Sequence, residues 1–450
     1  MNNKLKISNP PLYTSAAAVY PYSKALEMHF LVPPKFKDDE AVFLARKSGD
    51  FLLVPRELAP IAKDDRRSKG TTISLNLKVP PRNESQVKVI NNSLRLFKEG
   101  TSHVINCMVG WGKSYAGTNL ICQLGVTTLI VVTKEDLMIQ WKDNLLKYTD
   151  IKEDEIGIVQ QNKCEYGGNI KVSIAMVHSL AGGDYPSDFY SWAGFVLVDE
   201  VHRISANWFV NSMFKLNSYI RGGLSATVNR ADGKSYVFKA HIGEVLSKAT
   251  IDIAPPKVLV VKSGWIMPKW RKRSASGSYE EIPIPHKPGR MASVIKVMGM
   301  DDARNHLIAD LCLKAYQKDR KIVIFFEQID NHLKRLRPIL VKMGIPSKDI
   351  SEYIGGLTDI QRVENAKARV ILGSYSYFSE GTDIPDLDTA ILASPRSNVM
   401  QAIGRILRVV EGKKQPVIFD ILDECSESLV SMHYSRMRCY NELKANVIKF

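Results

Sequence analysis

The feature that most constrains the fold is an alternation that begins at Pro81, where apolar runs of strand length are separated by stretches of helical periodicity. The first series reads "HVINCMV", "TTLIVVT", "KVSIAMV", "GFVLVDE" and "YIRGGLSAT", and the second "PKVLVVK", "RKIVIFF", "ARVILGS", "TAILAS" and "QPVIFDIL". These runs are too apolar to leave one face in water. Strands of that kind, alternating with helices, specify a parallel sheet covered on both sides. Two series predict two α/β layers in tandem, over residues 81–252 and 253–450. A polar, basic interruption at about residues 265–292 falls near the start of the second. Ahead of them, residues 1–80 alternate apolar clusters ("LEMHFLV", "FLLVP") with Pro and charge and end in "DDRRSKGTTISLNLKVPP". That pattern predicts a small strand-rich domain and a linker.

Length and composition bound the function. A chain of 450 residues has room for two or three domains and a sizeable core. Its formal net charge of +15 favours a polyanionic partner, nucleic acid among them. The six cysteines form no CxxC pair and no Cys/His run with metal spacing, which points to free thiols in a reducing compartment. No apolar run approaches the roughly 18 residues of a membrane span, and the "MNNKLKISNPPLY" start lacks a signal-peptide core. The expectation is a soluble, cytoplasmic protein with no membrane partner.

The chemistry is carried by three segments. In "INCMVGWGKSYAG" a strand runs into Gly110, Trp111, Gly112, Lys113 and Ser114 and then into a helix. Backbone N–H groups and the helix N-terminus can surround phosphate oxygens there. Lys113 would neutralise the β- and γ-phosphates, and the Ser114 hydroxyl would ligate Mg²⁺. The strict GxxxxGK[ST] pattern fails at Cys107, a small residue that removes no phosphate-binding group. In "FVLVDEVH", Asp199 and Glu200 stand at the C-terminal edge of an apolar strand, where ligands collect in open α/β sheets. Asp199 can hold Mg²⁺ through water, and Glu200 can orient or deprotonate an attacking water. In "QAIGRILR", Gln401, Arg405 and Arg408 recur at helical spacing, and a guanidinium suits a γ-phosphate carrying charge in the transition state. Arginines so spaced also make ordinary solvated helix faces.

Taken in order, these segments resemble the superfamily 2 helicases, and specifically the phage branched-DNA helicases that migrate forks and junctions. The resemblance runs from Pro81 to the C-terminus through "CMVGWGKS", "VVTKEDLMIQW", "DEVH", "LSAT", "IVIFFEQIDNHL", "SEGTDIPDLD" and "QAIGRILR". It implies two RecA-like lobes with ATP and Mg²⁺ between them, and Arg405 and Arg408 reaching across from the second lobe. It also implies Gln86 as an adenine-reading residue, Gly381 and Asp383 near the nucleotide, and His202, Ser225 and Thr227 coupling hydrolysis to strand binding. The sequence departs from the family at Cys107, at Val228 after "SAT", and in the Arg82-to-Gln86 spacing, one residue longer than usual.

Each lobe would also grip a nucleic-acid backbone, with Thr133 and Lys134 in the first and Ser374 in the second as candidates. The basic interruption "WIMPKWRKRSASGSYEEIPIPHKPGR" adds Trp265, Trp270, Arg271, Lys272 and Arg273, which could hold phosphates and stack on bases, or form a solvated loop. The family resemblance suggests that residues 1–80 bind duplex near a fork. The expected activity is ATP-dependent unwinding or branch migration of forked and junction DNA. An RNA helicase with the same motor, or a degenerate DNA-binding scaffold, are the alternatives. "DEVH", "IQW" and "LSATVNRADG" look closer to DNA motors than to the "DEAD" RNA remodellers.

Overall fold

A computed structural model describes residues 5–33, 42–107, 111–203, 206–226, 235–249, 255–273, 279–283, 291–378, 384–407 and 412–450. The chain divides into two compact units, Met1–Ile251 and Asp252–Phe450.

The first unit begins with a four-stranded antiparallel sheet of β1 (Tyr13–Thr14), β2 (Ala18–Pro21), β3 (Arg46–Ser48) and β4 (Phe51–Val54), in the order β1-β2-β4-β3. An eight-stranded sheet follows, built from β5 (His103–Cys107), β6 (Thr128–Val132), β7 (Ile156–Gln160), β8 (Lys163–Cys164), β9 (Val172–Met176), β10 (Phe195–Val198), β11 (Ile220–Ser225) and β12 (Val245–Ala249). Its order is β8-β7-β9-β6-β10-β11-β5-β12, parallel throughout except for the β7–β8 hairpin. Every residue of β6, β9 and β10 is buried, as their unbroken apolar runs predict.

The small sheet and the large one share a core. Ala18, Tyr20, Phe30, Leu52 and Leu58 belong to the same buried cluster as Val104, Leu129, Phe209 and Ile242. Arg221, fully buried on β11, donates to the carbonyls of Ala16, Met213, Leu216 and His241, joining residues far apart in sequence. Arg56, also buried, donates to the Ser218 carbonyl. The "linker" from Ala62 onwards runs over the large sheet, with bridges from Ser68 to Ser218, Thr72 to Val126 and Leu77 to Thr149.

The second unit holds a seven-stranded, wholly parallel sheet. Its strands are β13 (Lys257–Lys262), β14 (Ile322–Phe326), β15 (Ile350–Tyr353), β16 (Val370–Ser374), β17 (Thr389–Leu392), β18 (Val417–Leu422) and β19 (Asn446–Lys449), in the order β15-β16-β14-β17-β18-β13-β19. Mixed α/β architecture with two large parallel sheets, preceded by a strand-rich N-terminal region, is the expected fold of tandem RecA-like lobes. Within the basic interruption, Lys269–Arg273 and Tyr279–Pro283 pair as an antiparallel ribbon that places Arg271 opposite Glu281 and Lys272 opposite Glu280.

Candidate active site

The candidate site lies where β5, β10 and β11 end. The register sets Leu224 beside Ile105 and Ser225 beside Asn106, so the segments following these strands emerge at one edge of the sheet. That edge is where open parallel sheets bind ligands.

Helix α1 (Glu84–Lys98) starts at Asn83, whose side chain caps the Gln86 amide at 3.0 Å. The Gln86 side chain is itself buried and braced at both ends. Its Oε1 accepts from the Arg82 amide at 2.7 Å, and its Nε2 donates to the Trp111 carbonyl at 2.8 Å. An Arg82 guanidinium nitrogen reaches the same carbonyl at 3.0 Å. The Trp111 ring, 1% exposed, donates to the Ser85 hydroxyl at 3.1 Å. Gln86 and Trp111 thus secure the entry to the phosphate loop from beneath.

Helix α2 (Lys113–Leu124) begins at Gly112, with φ +104° and no side-chain cap. That backbone conformation suits glycine, and a Cβ here would lie 2.5 Å from the Gln86 amide nitrogen. The uncapped N–H groups of the first turn are what a phosphate would bind. Cys107, the departure from the family pattern, is fully buried at the end of β5, and burial pushes its thiol up to about 12. It therefore stays neutral beside Lys113.

Lys113 is paired with the Glu200 carboxylate, both side chains about 15% exposed, so neither charge is buried alone. Glu200 sits at φ +47°, an uncommon conformation for a residue with a long side chain. His202 Nδ1 lies 2.8 Å from the Ser225 hydroxyl and 3.3 Å from Glu200 Oε2. Lys113, Glu200, His202 and Ser225 therefore form one connected chain from the phosphate loop to the end of β11.

Asp199, 5% exposed, is held at both oxygens. Oδ1 accepts from the Glu200 amide at 2.8 Å, and Oδ2 accepts from the indole N–H of Trp141 at 2.9 Å. Burial raises its pKa against the lowering influence of Lys113. An oxygen-only donor pair, the Ser114 hydroxyl on the first turn of α2 and the Asp199 carboxylate, has the chemistry of a Mg²⁺ site completed by phosphates and water. A dication there would offset the penalty that burial places on the carboxylate.

Helix α3 (Glu135–Tyr148) opens at Lys134, exposed, after half-buried Thr133. In the second unit Ser374 closes β16 at 7% exposure, and Gln401 lies on the short helix Met400–Ile403, followed by half-buried Arg405. Gly110, Thr227, Gly381, Asp383 and Arg408 lie outside the described residues, as do the side chains of Gln401, Trp270, Arg271, Lys272 and Arg273. Trp265 differs from its expected role. It is 6% exposed and packs with Val294, Met298 and Leu429, so its ring serves the second unit's core and offers no face to a base.

The sequence reading overlooked Trp141 and an aromatic pair at the same sheet edge. Trp208 is 51% exposed and its ring centroid lies 5.8 Å from that of His178, at the starts of the helices that follow β10 and β9. An exposed Trp two residues past a "DEVHRISA" stretch was the available signal.

The first unit thus joins a helix start bearing Lys113 to an acidic strand end and a histidine, and a second parallel-sheet unit follows it in the chain. Residues 80–230 match the family described as "Type III restriction enzyme, res subunit". The chain is similar to the putative ATP-dependent RNA helicase L396 of Acanthamoeba polyphaga mimivirus, 26% identical over 81% of this chain and 68% of the relative. It is also similar to the DNA 3'-5' translocase XPB2 of Sulfurisphaera tokodaii, 22% identical over 71% of this chain and 77% of the relative. Among solved structures, the ATP-dependent Type ISP restriction-modification enzyme LlaBIII bound to DNA matches 83% of this chain with a TM-score of 0.56 at 14% identity. The chain spans about a third of that larger enzyme, 32%. The chain is a homologue of the superfamily 2 helicases, viral members included.

Proposed function

We propose that this helicase homologue is an ATP-dependent DNA motor that unwinds or branch-migrates forked and junction DNA. The observation that carries the ATP half is the connected set Lys113–Glu200–His202–Ser225, with Asp199 fixed beside it. Bound Mg²⁺–ATP supplies the γ-phosphoryl group whose transfer to water releases the energy. Lys113 exchanges Glu200 for the phosphates, and the released Glu200 orients the attacking water and accepts its proton. Ser114 and Asp199 hold the metal. Arg405 and Arg408 stabilise charge on the transferring group, while Gly381, Asp383 and Gln401 complete nucleotide recognition; Gln86, expected to read adenine, has both ends of its amide taken up by the Arg82 amide and the Trp111 carbonyl and supports the loop instead. His202 and Ser225, with Thr227, relay the state of Glu200 to the strand-binding surface. On that surface we place Thr133, Lys134 and Ser374 at the backbone, and the ribbon residues Trp270, Arg271, Lys272 and Arg273 at the branch. Residues 1–80 contribute duplex contacts.

The +15 net charge suits either nucleic acid, and DNA is favoured by the "DEVH", "IQW" and "LSATVNRADG" segments. An RNA substrate is the second reading, because a viral relative bears the description of an RNA helicase. ATPase stimulation by RNA, single-stranded DNA and forks, run beside strand displacement on the same panel, separates the two. Forks are expected to give the largest stimulation and the fastest displacement. Stimulation by RNA alone would overturn the DNA reading. Glu200→Gln is expected to keep nucleotide and DNA binding and lose hydrolysis, whereas Lys113→Ala loses nucleotide binding too. Unchanged turnover in either variant would remove the site.

A further inference from the structure

Trp141 belongs to "VVTKEDLMIQW", a segment whose expected contact is a nucleic-acid backbone, yet its ring turns inward. It is 1% exposed and lies on α3, roughly two turns from the exposed Lys134 at the helix start. The indole touches two parts of the candidate nucleotide site. Its Nε1–H meets Asp199 Oδ2 at 2.9 Å in a buried hydrogen bond. Its far edge lies against α2 at Gly117, where a Cβ would stand 2.6 Å from the ring. A glycine at that point of the phosphate-loop helix is what lets the ring reach the carboxylate.

An indole donates one hydrogen bond and accepts none, so it can direct a carboxylate without competing for a cation. With the Glu200 amide on Oδ1 and Trp141 on Oδ2, rotation of the Asp199 carboxylate is blocked from both sides. We propose that Trp141 is the positioning residue that orients Asp199 for Mg²⁺ and ties that carboxylate to the helix bearing the candidate backbone grip. This rests on the reading of Asp199 as the metal-holding residue. Residues that orient a metal ligand from behind typically change metal affinity by about 10–100-fold when removed.

The test is Trp141→Phe in the full chain, which keeps an aromatic ring and deletes the N–H. Binding of a fluorescent ADP analogue is titrated against free Mg²⁺ and, separately, measured in EDTA. The expected result is an increase of about 10–100-fold in the Mg²⁺ concentration giving half-maximal enhancement, with affinity in EDTA unchanged within about twofold. A ring that only packs would leave the Mg²⁺ midpoint in place, and that outcome overturns the proposal. If the variant fails to fold, the wild-type chain labelled with ¹⁵N-tryptophan answers instead. One of the six indole N–H resonances should move on Mg²⁺–ADP binding and move again in Asp199→Asn. No indole resonance responding to either change would overturn the proposal. A wild-type chain whose ADP binding ignores Mg²⁺, or an Asp199→Asn variant that retains the full Mg²⁺ effect, would instead overturn the assignment of the metal site itself. Normal Mg²⁺ dependence in wild type with no change in Trp141→Phe rejects only the role of Trp141.

Discussion

Replacing Gly112 with alanine should damage the phosphate loop through two separable costs. The first is conformational: φ +104° lies outside the regions that an L-residue occupies easily, a penalty of at least about 1–2 kcal/mol. The second is displacement of Gln86, because the new Cβ would sit 2.5 Å from its amide nitrogen. Moving that amide breaks the 2.8 Å bond to the Trp111 carbonyl, and stranding a buried polar group costs about 1–3 kcal/mol. The expected total is roughly 2–5 kcal/mol. Urea unfolding of the intact chain reads this cost, and nucleotide affinity on the same sample reads the loss of the loop. Gln86→Ala makes the reasoning refutable. It forfeits the same bond but removes the obstacle, so the double variant should lose that contribution only once. The two single costs should therefore exceed the double cost by about 1–3 kcal/mol. Additivity within about 0.5 kcal/mol would refute the idea that Gln86 supports the loop across Gly112.

In the second unit, Asp420 is fully buried and paired with Arg436, with Tyr440 donating to it at 3.0 Å. Arg436→Ala is expected to cost about 3–5 kcal/mol in urea unfolding, since it strands a buried carboxylate. The Arg436 pairing holds Asp420 below the usual carboxylate range despite burial, so its stabilising contribution is complete above the unfolded value of about 3.9 and fades as pH falls through the lower folded value. Asp420→Asn should flatten the acid limb of the stability curve there. Arg405→Ala is expected to lower the turnover rate far more than ATP affinity, by about 10³–10⁵ if it acts as the charge-stabilising arginine. The Cys107 thiol, buried and neutral, should resist iodoacetamide at pH 7.5 in the folded chain and react after denaturation, as peptide mapping would show.

Strands at the centres of the sheets were legible because burial on both faces forces an unbroken apolar run, as in "TLIVV" of β6 or "IVIFF" of β14. Edge strands were not. "VLSKA" of β12, "ISEY" of β15 and "NVIK" of β19 have one partner and partial exposure, so polar residues interrupt them and they do not stand out among the apolar runs. The phosphate-loop and "DEVH" residues were legible as motifs, but their supports were not. Trp141 looked like part of a surface segment, because only the tertiary fold reveals that Gly117 clears its path to Asp199. The tryptophans of the basic interruption suggested stacking, and for Trp265 the local run gave no sign that Val294 and Leu429 cover it.

The shared core of the first unit bears on how mechanical load would travel. Arg221 spends one of its bonds on the Ala16 carbonyl, and Tyr20, Phe30 and Leu52 sit in the same apolar cluster as Val104 of β5. A cut at residue 80 would thus leave a guanidinium short of an acceptor and an apolar face open to water. A pull exerted on the small antiparallel sheet would reach, through that shared core, Val104 of the strand that leads into the phosphate loop.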